Sequence, residues 1–170
     1  DAIGVLFNRA AHASRTLGFV DNLRHSGVYV LHGDADNNVP VGEARAMRSW
    51  LAENHADFAY YERPGAGHWW GNRCVEWPPL MDFLEHHATP ADSAVRQVEF
   101  VTPSPGISAE CYWVKVLQQE RALDWTRVSA RFKPKRGQVV LEAENVRRLA
   151  LNLTALGVAP EGFEGETLAV

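Results

Sequence analysis

The stretch that most constrains this chain is residues 28–40. There Val28, Tyr29, Val30 and Leu31 run into His32-Gly33, and then into Asp34-Ala35-Asp36-Asn37-Asn38 before Val39-Pro40. Four successive apolar residues that stop at a glycine predict a parallel strand covered on both faces, with a working loop at its carboxyl end. Such loops carry chemistry because the strand fixes their base while the loop backbone stays free to aim side chains.

A second apolar run, Phe58-Ala59-Tyr60-Tyr61, leads into Pro64-Gly65-Ala66-Gly67-His68-Trp69-Trp70-Gly71. Between the two runs, Ala44, Met47, Trp50 and Leu51 recur at helical spacing. Pro40 suits a helix start and Glu43 suits the positive end of the helix dipole, so a helix is expected over 41–54. A strand-helix-strand unit crosses over right-handed and leaves its strands parallel, with both loops at one sheet edge. Asp36 and His68 are therefore expected to meet.

His-Gly-x-x-Asp-x-x-Val-Pro at 32–40, followed by Gly-x-Gly-His at 65–68, resembles the α/β-hydrolases, and among them most closely the prolyl oligopeptidase family of serine hydrolases. The likeness covers roughly the first half of the chain. The chain order Ser, Asp, His of that superfamily implies that Asp36 is the acid of a triad and His68 its base. It further implies cleavage of peptide bonds, with no cofactor. A carboxylic-ester hydrolase, of the feruloyl or acetyl esterase type, uses the same triad. Asp34, two residues nearer the strand, is the reserve acid.

None of the seven serines stands in a Gly-x-Ser-x-Gly setting, and the chain begins at Asp1 without a methionine. The expectation is a piece of a hydrolase whose serine, oxyanion hole and remaining strands precede Asp1. Its partners would be a peptide or ester substrate and the remainder of its own catalytic domain. Histidine suits the base role because an ordinary imidazole, with a pKa of about 6.5, accepts and donates protons near neutrality.

The segment 2–14 is expected to be a helix whose Ile3, Leu6 and Phe7 pack on the sheet, and 14–26 a loop. Trp77, Leu80, Met81 and Leu84 predict a helix from about 76 to 87, with Pro78 and Pro79 tolerated in its first turn. Past a boundary at 89–93, with Pro90 and Asp92, the periodicity changes to two. Tyr112, Val114 and Val116 alternate with Trp113 and Lys115, Val128 with Ala130 and Phe132 at the same spacing, and Leu149, Leu151 and Leu153 with Arg148, Ala150 and Asn152. Turn-like breaks at 103–106, 133–137 and 142–145 complete the pattern of an antiparallel sandwich or open barrel. The expected fold class is accordingly α/β. Residues 1–89 would be the C-terminal part of an α/β-hydrolase domain, parallel strands with flanking helices, and 93–170 a small β-sandwich-like accessory domain in which 157–170 adds a strand or frays.

A net charge of −4 gives no basic footprint for nucleic acid. No apolar run approaches the roughly 18 residues of a membrane span. Cys74 and Cys111 show neither metal nor redox spacing, and no pair of histidines shows ligand spacing with a carboxylate, so no metal is expected. His32, at a strand end, is expected to shape the loop beneath Asp36. Trp69 and Trp70 are candidates to line a substrate pocket, against the plainer reading that they seal the sheet. Trp113 and Trp125 read as core, with a carbohydrate platform as the alternative. Asn152-Leu153-Thr154 is a formal glycosylation acceptor in a predicted strand. The rival to the enzyme is a non-catalytic carbohydrate- or protein-binding module.

Overall fold

The computed structural model describes residues 2–158. They fall into two compact units, one made of the chain up to residue 24 together with the chain from 90 onward, the other of 25–89. The sequence pattern places one boundary near 89 and groups the first 24 residues with 25–89 instead.

In the first unit, α1 (Ala2–Ala10) forms as expected, but Ile3, Leu6 and Phe7 remain exposed instead of packing on a sheet. Residues 11–14, expected to continue that helix, and 16–23, expected as a loop, wind instead as short 3-10 segments. Their anchor lies far along the chain. The Asn22 side chain donates to the Val101 carbonyl at 2.9 Å and accepts from the Val101 amide at 2.7 Å.

The second unit contains β1 (Val28–Gly33), α2 (Val41–Asn54), β2 (Phe58–Arg63) and α3 (Pro78–His86). Strands β1 and β2 pair in parallel, with Val28 opposite Phe58 and Gly33 opposite Arg63. The bounds of α2 are those read from its apolar stripe, and both prolines sit in the first turn of α3. Leu51 of α2 is fully buried. Residues 28–32 are half-buried, whereas the apolar run implied cover on both faces. The reason is that β1 has a single strand neighbour. Aromatic contacts supply much of the remaining packing: Tyr61 stacks on Trp77 at 4.8 Å, and the Trp77 indole donates to the Tyr29 hydroxyl at 3.0 Å. A bidentate pair from Arg45 of α2 to Glu62 of β2, at 2.9 and 2.6 Å, ties helix to strand.

The chain from 90 onward builds β3 (Gln97–Thr102), β4 (Glu110–Cys111), β5 (Val114–Gln119), β6 (Thr126–Lys133), β7 (Gln138–Glu144) and β8 (Val146–Leu151). They form two three-stranded antiparallel sheets, ordered β3-β6-β7 and β4-β5-β8. One core joins them, with Val98 and Phe100, Trp113, Val114 and Val116, and Val128, Ala130 and Phe132 all buried. Trp113 is part of that core, and its indole donates to the Val95 carbonyl at 2.9 Å. Trp125 stacks on His12 at 4.8 Å and meets Phe19 edge-on. The break expected over 142–145 is shorter than its acidic composition suggested, because β7 runs through Glu144 and β8 starts at Val146. Asn145 alone carries the chain from one sheet to the other, at φ 58°. Asparagine tolerates this left-handed conformation better than most residues. Its side chain also accepts from the Arg121 amide at 2.7 Å and donates to the Arg121 carbonyl at 3.0 Å.

This architecture corrects the expected fold class. The chain is mostly a small β-rich fold and not a portion of an α/β-hydrolase: six of the eight described strands lie in the antiparallel sheets, and the parallel sheet stops at two strands. The alternating runs beyond 96 pair antiparallel with one another, and among the described residues β1 and β2 have no third strand with which to extend a layered α/β sheet. The glycosylation acceptor also sits elsewhere than expected, since β8 ends at Leu151 and Asn152 is exposed just beyond it. The strand expected over 157–170 lies, from 159 on, outside the described residues.

Candidate active site

Because β1 and β2 run parallel and in register, the loops after Gly33 and Arg63 leave the same edge side by side. Gly33 lets them close: a Cβ there would collide with the carbonyl oxygens of Ala66 and Gly67. Two backbone bonds then tie the loops together, from Asp34 N–H to the Arg63 carbonyl at 3.1 Å and from Ala35 N–H to the Ala66 carbonyl at 3.0 Å. The Asp34 carboxylate accepts from the Gly65 amide.

The structure brings Asp36 and His68 together. His68 Nδ1 lies 2.9 Å from Asp36 Oδ2. The other carboxylate oxygen, Oδ1, accepts from the amides of Asn38 at 2.8 Å and Val39 at 2.9 Å. The turn-forming habit of aspartate and a role toward histidine therefore coexist on one side chain, one per oxygen. The Asp36 side chain is 4% exposed, against 51% for His68. Burial pushes the Asp36 carboxyl up, but the Val39 amide, the His68 ring and the Asn38 amide outweigh it and hold the group at about 2. Asp36 is thus a carboxylate at any neutral pH, and a hydrogen on Nδ1 is the matching tautomer of His68. The other ring nitrogen, Nε2, has no hydrogen-bond partner among the described residues.

His32 does what its place at the strand end suggested. Its Nε2 bonds the Val39 carbonyl at 3.0 Å and stands 3.6 Å from Asp36 Oδ2, so it braces the far end of the acidic loop. Asp34, the reserve acid, is committed to the Gly65 amide.

Asp36 and His68 line a cavity of about 420 Å³ together with Leu31, Val39, Trp69, Trp70 and Cys74. Trp69 is 66% exposed, while Trp70 lies under the Arg63 guanidinium at 4.4 Å. Both tryptophans thus line the cavity, Trp69 as an exposed side chain and Trp70 while also packing under Arg63. Cys74, a free thiol that donates to the Gly71 carbonyl at 3.0 Å, was not anticipated here. It reaches the cavity through the 3-10 turn Gly71–Cys74, which no periodic pattern announces. A larger cavity, about 550 Å³, lies among Arg96, Lys133, Lys135 and Arg136 and contains no acid–base pair, so chemistry rather than size selects the site.

Among the described residues no group of three or more His, Cys, Asp or Glu could hold a metal ion, and no helix is long and apolar enough to cross a membrane. No family model matches the chain, and no solved structure matches it. Over 64 residues it is 38% identical to an uncharacterized secreted protein of Arthroderma benhamiae, a stretch that makes up 38% of this chain. The match spans about 7% of that protein's length.

Proposed function

We propose that Asp36 and His68 are the acid and base of a Ser-Asp-His triad in a serine peptidase whose nucleophilic serine lies upstream of Asp1. The observation that carries this reading is the 2.9 Å contact between His68 Nδ1 and Asp36 Oδ2, made by two loops that leave neighbouring parallel strands. The motif spacing in the sequence supports it independently. Of the serines in 25–89, neither Ser26 nor Ser49 lines the cavity, which is why the nucleophile is assigned to another segment.

In this reading Asp36 holds the imidazole with its proton on Nδ1, so that Nε2 is left as the base. Nε2 takes the serine proton during attack on the carbonyl, and His68 then donates it to the leaving amine. Asp36 stabilises the imidazolium throughout without being protonated. A carboxyl held at about 2 suits that duty, because the ion-paired state needs no proton rearrangement of the acid. Trp69, exposed beside the pair, offers an apolar face to the substrate.

The test uses the longer protein with its upstream segment. His68→Ala should lower kcat on peptide substrates by about 10³-fold or more, and the 170-residue chain alone should show no hydrolysis dependent on His68. Unchanged turnover in His68→Ala would sink the reading.

A further inference from the structure

The His68 ring is half-exposed, and among the described residues its one hydrogen bond is the contact with Asp36. No other hydrogen bond among the described residues fixes the side chain, so its position depends largely on the backbone that delivers it. That backbone, residues 64–67, is glycine-rich, and Gly65 stands at φ 68°, a conformation glycine adopts freely and other residues resist. Left to itself such a loop samples many conformations. In this protein residues 33–35 hold it at three points: the bare face of Gly33 against the Ala66 and Gly67 carbonyls, the Ala35 amide on the Ala66 carbonyl, and the Asp34 carboxylate on the Gly65 amide. The first two are backbone features. The third is the single side chain among them.

From this we infer that Asp34 is a positioning residue for the acid–base pair: its carboxylate fixes the histidine loop at Gly65, and so sets the Asp36–His68 contact two residues along one loop and three along the other. The two aspartates of the acidic loop thereby divide their work. Asp36 addresses the imidazole, and Asp34 addresses the main chain that carries it. A carboxylate serves at Asp34 because a charged acceptor binds a backbone amide more strongly than a neutral one. The need is for an acceptor oxygen, however, and asparagine supplies one of the same reach. This inference deepens the hydrolase reading but can be tested without turnover.

The experiment is nitrogen and proton NMR of the His68 ring in the 170-residue chain, comparing the unsubstituted protein with Asp34→Ala, Asp34→Asn and Asp36→Asn. The readout is the hydrogen-bonded Nδ1 proton and the share of the ring protonated at Nδ1. Asp36→Asn defines the signature of a broken contact. Asp34→Ala should move the ring to that signature, with loss of the Nδ1 proton signal, and Asp34→Asn should retain it. Retention in Asp34→Asn separates a need for the acceptor from a need for the charge, which both variants remove. The amide of Leu51, buried in the same unit, reports whether Asp34→Ala is folded. Should that variant unfold, Asp34→Ser, which keeps a shorter polar group, takes its place and should lose the Nδ1 proton signal. An unchanged Nδ1 proton in folded Asp34→Ala, or equal loss in Asp34→Ala and Asp34→Asn, overturns the inference and leaves the hydrolase reading standing. Absence of hydrolysis by the longer protein would do the reverse.

Discussion

The two units of this chain are held together differently. From 90 onward, Val98, Trp113, Val114, Val116 and Val128 are each at most 1% exposed and belong to one continuous core. Within 25–89 the buried apolar side chains are those of Ala44, Leu51 and Ala66, and the rest of the unit rests on half-buried aromatics, the Arg45–Glu62 pair and hydrogen bonds between loops. The candidate site sits in the second, thinly buried unit. Packing is non-directional and tolerates small displacements, whereas hydrogen bonds set angles and distances. Asp36 and His68 are accordingly placed by amides and carbonyls rather than by a core.

The sharpest way to break this comparison is to remove one buried side chain from each unit. Trp113→Ala should destabilise its unit by about 3–5 kcal/mol, through the lost transfer energy, the cavity and the orphaned Val95 carbonyl. Leu51→Ala should cost about 2–3 kcal/mol, at the low end for such changes because half-exposed surroundings can collapse toward the gap. Denaturant unfolding followed by amide exchange in each unit measures both. Equal costs would mean that the 25–89 unit has a better core than its exposures indicate.

A smaller effect is expected from pH. Asp36 and Glu62, the latter through its hydrogen bonds from Arg45 and then Tyr60, are both held at about 2, below the ordinary carboxylate range. A depressed carboxyl contributes stability that is full above its unfolded value, roughly 4, and is lost as pH falls through the folded value. His87 is shifted the other way, raised by the Phe83 carbonyl and then by Asp57. Its contribution is full below the unfolded value of about 6.5 and fades as pH rises through the raised one. The 25–89 unit should therefore be most stable at roughly pH 5–6.5 and weaken on both sides. Thermal unfolding across pH tests this, with Glu62→Gln expected to blunt the acid limb and His87→Gln the alkaline one. A profile unchanged by either substitution would break the claim that polar contacts carry this unit.

The smallest expected effect sharpens the same contrast. Trp69→Ala should change stability by less than about 0.5 kcal/mol, as an exposed side chain does, while raising KM in the longer protein. A large loss of stability would make Trp69 a packing residue and remove it from the candidate site.

How much of the structure is legible in the sequence depends on the range of the interactions involved. The bounds of α2 were legible because Pro40, Glu43 and the apolar stripe are local signals. The meeting of Asp36 with His68 was legible because a short crossover admits essentially one handedness. The 3-10 segments over 11–14 and 16–23 were not, since they lack a 3.6 period and their partners, Val101 and Trp125, lie some 80 to 110 residues away. The last three residues of β7 were read as part of a turn because Glu142 and Glu144 alternate outward from Val139, Leu141 and Ala143. The fold class failed for a related reason. Two local motifs were extrapolated to a sheet whose further strands the described residues do not supply, while the alternating runs downstream built most of the structure. Within the site, Cys74 escaped because a four-residue turn places it, and no spacing rule reports such turns.

The close approach at Gly27 carries a last consequence. A Cβ there would collide with the His87 ring, so the chain begins and finishes the 25–89 unit at nearly one point in space. Since the residues on either side, up to 24 and from 90, share the other unit, the 25–89 segment is a cassette spliced into a host along the sequence. Termini that nearly touch are what allow a domain to be transplanted or circularly permuted. A single protease cut near residue 25 would leave both parts covalently joined through residue 90, and release would take two cuts. In evolutionary terms, such a segment can be exchanged or remodelled without redrawing the sheets that carry it.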